Sequence, residues 1–405
     1  MAFNPLTETG IPLDQQLRSW RELNVEPYDT QSVNPYTRCR IIVMNGAEME
    51  SMWFGHHFAR HTTDLDIKRQ LAQVRRIETQ QQKVNNWLIP GNEDALELTI
   101  GYEQVAVDLT AWVAQQEPDP YAKQCYDFGL LEDFDHLFRY ANLMDMTNPR
   151  KATELVGDLT EIMPGRPTVF EHRDPYDDIR RPLARTSDPR SAMHAMTITA
   201  AEQQTLNFYC NVGNRPEEPL ARALYQEIAQ IEEQHVTHYE SMLPADASWA
   251  EQLVMHEYNE CWLYWSFMQT EDDERIRKVW ETHLAMEIEQ LKSAVELMKK
   301  LDGRDPAAEL LPESLPEPLK FESNKQYVRQ VLADQVALTG DGTDFVRVDD
   351  LPEGHRYYEY QKKVHGDGWV PSEEVIGSHR DSKGDEYRSQ PAGEHPVNEL
   401  REEKH

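Results

Sequence analysis

Two short stretches of this chain place a carboxylate and an imidazole three residues apart: Asp133-Phe134-Asp135-His136 and Glu232-Glu233-Gln234-His235. On an α-helix, positions i and i+3 share a face. Both groups can then bind one metal ion while the carboxylate bridges to a second. Two related stretches keep the acid but carry an amide at the third position, Glu78 with Gln81 and Glu287 with Gln290. Together with Glu48, Glu103, Glu202 and Glu257, these acids form a regular series. Glu48, Glu78, Glu103 and Asp133 are spaced by 30, 25 and 30 residues, and Glu202, Glu232, Glu257 and Glu287 repeat those intervals. Their neighbours are apolar: Met49, Met52 and Phe54 beside Glu48, Leu130, Leu131 and Leu137 beside Asp133, Leu284, Ile288 and Leu291 beside Glu287. Burying several carboxylates together is costly unless a cation compensates them, so the pattern points to metal binding rather than to a solvated face.

The elements that must position these groups follow from periodicity. Apolar residues recur at three and four over 41–146 and again over 196–300, the signature of amphipathic helices. Shifting the chain by 154 residues lays 41–146 on 195–300 without a gap: Phe54 meets Phe208, Ile77-Glu78 meets Ile231-Glu232, Pro90 meets Pro244, and Leu143-Met144 meets Leu297-Met298. This reads as a tandem duplication. Turns near 63, at Pro90-Gly91 and near Pro118 split each copy into helix arms of about 12–15 residues on either side of the acids. Equal antiparallel arms return the chain to one level at about 1.5 Å per residue, so each copy lifts four carboxylates to a common height. The expected organisation is an irregular N-terminal arm (1–40), a first helical repeat of two hairpins (41–146), a long Pro-, Asp- and Arg-rich crossover (147–195), a second repeat of two hairpins (196–300), and a polar acidic tail, partly disordered (301–405).

The strongest motifs resemble the ferritin-like, rubrerythrin-type family of carboxylate di-metal proteins. The resemblance rests on Glu202 with Phe208-Tyr209 one helical face further on, then Ile231-Glu232-Glu233-Gln234-His235. Glu103 followed by Asp133 and His136 repeats it, and the likeness spans roughly 41–300. It implies an all-α fold of ferritin-like four-helix bundles built from the duplicated eight-helix core. One Glu would come from each of two helices and a carboxylate-x-x-His from each of the other two. Asp133 stands where the family has Glu, and Gln81 and Gln290 stand where it has His. Such a bundle needs a long crossover between its hairpins. The 147–195 segment supplies one between the two hairpins that keep histidine, which selects Glu103, Asp133, His136, Glu202, Glu232 and His235 as the metal ligands. The outer hairpins would flank them as a degenerate second site of Glu48, Glu78, Gln81, Glu257, Glu287 and Gln290. The competing arrangement puts one half-degenerate site in each copy. His283, one turn before Glu287, is a candidate substitute for the ligand missing at Gln290. His238 reads as a surface or outer-layer residue.

Composition narrows the function further. The 405 residues carry 41 Lys+Arg against 72 Asp+Glu, a net charge of −31. That charge argues against nucleic acid or an anionic membrane as partner. No apolar run is long enough to span a bilayer, and the first residues lack the features of a secretory signal, so a cytoplasmic protein is expected. The four cysteines form no C-x-x-C, which excludes a zinc ribbon or rubredoxin-type iron site. The resemblance therefore implies two Fe ions (alternatively Mn) and an oxidoreductase acting with dioxygen or peroxide. It would draw on an external electron donor, take a small organic substrate, and form a homo-oligomer. A ferroxidase or iron-storage protein, and a scaffold whose metal site has decayed into a binding or structural role, are the alternatives.

Overall fold

In the computed structural model, which describes residues 3–401, the chain is helical apart from one two-stranded antiparallel hairpin. The long helices are α1 (Pro35–Arg60), α2 (Leu65–Trp87), α3 (Ala95–Gln116) and α4 (Pro120–Thr147). After the short α5 (Ala152–Val156) and α6 (Thr168–Glu171) come α7 (Pro189–Val212), α8 (Pro219–Glu240), α9 (Trp249–Thr270) and α10 (Glu274–Asp302). Their starts repeat at one offset: Pro35 with Pro189, Leu65 with Pro219, Ala95 with Trp249 and Pro120 with Glu274 all lie 154 residues apart. Local chemistry sets these starts. Asn34, Asp64, Asp94, Asp119 and Asp273 cap the amides that open their helices, and Pro occupies the first turn of α1, α4 and α8, where its missing N–H costs nothing. No helix among the described residues is long and apolar enough to cross a membrane.

The chain forms two compact units, and they are not the two sequence repeats. The first unit takes residues 1–92, 183–204 and 243–321; the second takes 93–182, 205–242 and 322–405. Each unit thus draws one hairpin from each repeat. Helix α7 passes from the first unit to the second between Gln204 and Thr205.

In the first unit, the α1/α2 and α9/α10 hairpins meet with α1 against α9. Ile41, Met44, Ile77, Leu263, Trp280 and Met298 are buried there. Gly46 of α1 lies so close to α7 that a Cβ would meet Gln204 Oε1 at 2.5 Å and the Ala200 carbonyl at 3.0 Å. The N-terminal arm is irregular up to Asn34, as its composition indicates. It is tied to α10 by Ile11 N donating to Ala285 O (2.7 Å) and Gln16 Nε2 donating to Met286 O (2.9 Å).

The second unit is built around α4, in which every residue from Cys125 to Met144 is buried. Helices α3 and α8 and the end of α7 lie around it, joined by α12 (Lys325–Gln335) and α14 (Pro371–Lys383). The expectation of a partly disordered tail over 301–405 is overturned through Arg401. Besides α11 (Pro306–Glu309), α12 and α14, this stretch forms β1 (Leu338–Asp341), β2 (Asp344–Arg347) and α13 (Arg356–His365). The tail is polar overall, but Val328, Val331 and Leu332, with Val375 and Ile376, put apolar groups at helical spacing and are buried in the second unit's core. Residues 402–405 lie outside the described residues.

Candidate metal centre

In the second unit, α3 carries Glu103, α4 carries Asp133 and His136, and α8 carries Glu232 and His235. All five are fully buried. Ligand atoms of Glu103, Asp133, His136 and Glu232 lie within 4.8 Å of one another, and so do those of Asp133, Glu232 and His235. The two imidazoles present the same nitrogen to the same acids. His136 Nδ1 is 3.1 Å from Glu232 Oε1 and 4.0 Å from Asp133 Oδ1. His235 Nδ1 is 3.2 Å from Asp133 Oδ1 and 3.6 Å from Glu232 Oε2. Glu232 therefore faces one imidazole with each of its oxygens. Asp133 Oδ2, Glu103 Oε2 and Glu232 Oε2 are buried and accept no hydrogen bond. Glu202, the sixth expected ligand, is buried on α7. It lies two turns before Tyr209, on the stretch of that helix belonging to the first unit.

Each imidazole turns its other nitrogen to an acid that the motif does not contain. His136 Nε2 is 3.0 Å from Glu171 Oε2 on α6, and His235 Nε2 is 2.9 Å from Glu132 Oε2 on α4. Glu132 is held in turn by Arg166 Nη1 (2.9 Å) and by Arg173, whose Nη2 donates at 3.1 Å. Tyr209 donates its hydroxyl to Glu103. Sequence reasoning missed Glu171, Arg166 and Arg173 because they sit in the aperiodic crossover, where nothing marks them as buried. Glu132 was legible in principle: it sits in an acidic cluster, Glu132-Asp133-Phe134-Asp135, inside an otherwise apolar stretch of helix.

Electrostatics separates these acids. Burial opposes the charge of Glu132, but Arg173, His235 and Arg166 hold its carboxyl well below the usual range. Burial also opposes the charge of Glu232, yet the hydrogen bond from His136 and the neighbouring His235 imidazole bring it down to about 2. Burial pushes Glu171 up to about 8 and Glu103 well above its ordinary value. Burial alone would lower His136, but the facing Glu171, Glu232 and Glu103 carboxylates raise it well above the ordinary imidazole value. The cluster thus keeps positive charge on imidazole and negative charge on Glu232 and Glu132.

The first unit brings together the outer set. Glu48 lies on α1, Glu78 and Gln81 on α2, Glu257 on α9, and Glu287 and Gln290 on α10, all buried. Glu260, one turn after Glu257, joins them, and oxygens of Glu78, Glu257 and Glu260 lie within 4.8 Å of one another. Gln81 and Gln290 donate to Glu287, and Gln290 Nε2 also donates to Gln81 Oε1 at 2.9 Å. Ser51 donates to Glu78 (3.0 Å) and Tyr264 to Glu48. His283 does not replace the ligand missing at Gln290. Its Nδ1 is 3.0 Å from the Tyr264 hydroxyl and its Nε2 3.2 Å from Arg18. His238 is not a surface residue either: it is buried in the second unit, stacked on Phe128 at 6.0 Å.

A pocket of about 280 Å3 lies in the second unit and is walled by Tyr209, Cys210, Arg222, Tyr225 and Ala229. Tyr209, whose hydroxyl reaches Glu103, is among the residues lining this pocket. No family model, curated protein or solved structure matches this chain.

Proposed function

We propose that the second unit is a ferritin-like di-metal centre for two iron or manganese ions, and that the protein is an oxidoreductase acting with dioxygen or peroxide. The observation that carries this reading is the orientation of the two imidazoles. With Nε2–H donated to Glu171 and to Glu132, the Nδ1 atoms of His136 and His235 face Asp133 and Glu232, and a metal that displaces the Nδ1 proton would find both imidazoles and both carboxylates there. The unpartnered buried oxygens of Asp133, Glu103 and Glu232 fit the same donor set, and mixed imidazole and carboxylate ligation suits these metals. Glu202 is the sixth ligand that the motif implies. A metal pair supplies two-electron redox chemistry toward dioxygen or peroxide.

The chain's own groups then have defined tasks. Arg166 and Arg173 keep Glu132 charged, so that it holds the His235 ring and its tautomer. Tyr209 donates its hydroxyl proton to Glu103 and also lines the pocket, which accommodates a small organic substrate. Burial of all five ligands keeps bulk water away. Electrons must arrive from an external donor, since no cysteine pair supplies a second centre.

The test is elemental analysis of the purified full-length protein. Two Fe or Mn per chain are expected at this centre, and His136→Ala/His235→Ala should lose both. A wild type without stoichiometric metal, or a double variant that retains it, overturns the reading. A decayed scaffold remains the second reading. The amide network of Gln81 and Gln290 on Glu287 favours it for the first unit alone.

A further inference from the structure

The acid cluster of the first unit differs in kind from that of the second. It has no imidazole ligand. His283 is occupied by Tyr264 and Arg18, and His256 is held by Glu50 (2.8 Å) and by the Gln252 carbonyl (2.8 Å). The amides of Gln81 and Gln290 satisfy one oxygen of Glu287, while oxygens of Glu78 on α2 and of Glu257 and Glu260 on α9 lie within 4.8 Å of one another. There, both carboxylate oxygens of Glu260 are buried without a hydrogen-bond partner, and the residue is only 2 % exposed. Glu78 Oε2 and Glu257 Oε2 are likewise buried and unpartnered. A cavity of about 10 Å3 touches Glu78 and Glu257, with Ser51, Gln290, Leu71 and Val74 in its wall. That is room for about one water-sized particle.

Unpartnered buried carboxylates are expensive, and an all-oxygen donor set free of nitrogen and sulfur selects hard cations. We propose that the first unit binds one hard divalent cation, of the calcium, magnesium or manganese kind, on Glu78, Glu257 and Glu260. This site is independent of the imidazole-bearing centre, and its role is to hold α2 against α9 rather than to turn over. The positive charges already near it do not fill that need. Arg75 donates to the Gly55 carbonyl (2.9 Å) and Arg18 is engaged with His283. In the absence of a cation, burial and the neighbouring acids push Glu257 and Glu260 well above the ordinary carboxyl value, so cation binding would release protons.

The experiment is calorimetric titration of chelator-treated full-length protein with Ca2+, Mg2+ and Mn2+ in separate arms. It is repeated on Glu260→Gln, Glu257→Gln and the His136→Ala/His235→Ala variant. Apart from any Mn2+ taken up by the imidazole-bearing centre, one site per chain is expected for at least one of the three ions. It should be retained in the histidine variant and weakened at least tenfold by either glutamine substitution. The preferred ion is the arm that binds most tightly. No binding by any arm to wild type, or binding indifferent to both glutamine variants, overturns the proposal. Circular dichroism of the variants confirms that they fold, and Glu257→Gln stands in if Glu260→Gln does not. Because the histidine variant removes only the second unit's ligands, the two metal assignments fail or survive separately.

Discussion

Both units bury a set of acids among the helices of two hairpins, yet they meet the cost of burial differently. In the second unit the compensating groups are imidazole and guanidinium side chains. His136 and His235 stand among the acids, and Arg166 and Arg173 clamp Glu132 from the crossover. In the first unit the compensating groups are neutral donors. Tyr264, Ser51 and two glutamine amides satisfy one oxygen each of Glu48, Glu78 and Glu287, and Glu260 is left with none. The same helix plan therefore supports a charge-balanced centre and a cation-dependent one. The choice is made at the third residue after the acid: His in one hairpin pair, Gln in the other.

The largest expected effect that could break this contrast is Glu132→Ala. Removing the acid takes from Arg166 its carboxylate partner and leaves Arg173 with Asp178 alone (2.9 Å) in a buried site, so folding stability should fall by about 3–5 kcal/mol, measured by chemical denaturation. A loss below about 1 kcal/mol would mean that the arginines do not provide the balance ascribed to them. Next comes the pH dependence of chelator-treated protein. Burial raises Glu78 from its ordinary 4.5 to about 7 and Glu287 to about 8. A raised folded-state value means that these acids favour folding when protonated. Their contribution is complete below about pH 4.5 and is lost as pH rises through 7 and 8. Denaturation midpoints should fall between pH 5.5 and 8.5, and a hard divalent cation should flatten the decline; a pH-independent midpoint would remove the contrast.

A third comparison inverts the first. In cation-free protein at pH 8, Glu260→Gln should stabilise by about 1 kcal/mol, roughly 2–4 °C for a unit of this size, because it deletes an unpartnered buried carboxylate. A destabilisation would place an unseen partner on Glu260. The smallest effect is Ser51→Ala, which removes the 3.0 Å donor to Glu78 and should cost about 0.5 kcal/mol in thermal melts with the cation absent.

The acid spacing and the 154-residue offset were legible because both are periodic, and periodicity is what a helix imposes on its sequence. The same regularity told which hairpins carry His and which carry Gln. What escaped is aperiodic or depends on total burial. Glu171 and Arg173 sit on a crossover with no repeating pattern. Glu132 lies next to Asp133, on a face that would meet solvent if α4 were not buried all round. Glu260 looks like one acid among many until its surroundings are known. The tail read as disordered because its few apolar residues are diluted among charges, although Val328, Val331 and Leu332 suffice to cover part of the second unit's core.

The interleaving of the units bears on how the protein is made. As the chain leaves the ribosome, the α1/α2 hairpin emerges first, but its partners α9 and α10 end only at Asp302. At about 5–20 residues per second, that hairpin waits roughly ten to forty seconds for the surface it will bury. Through that interval Glu48 and Glu78 are open to water and fully ionised. The acids that are a burden in the finished core then act as a solubilising, self-repelling face on the nascent chain, guarding the half-made first unit against premature association.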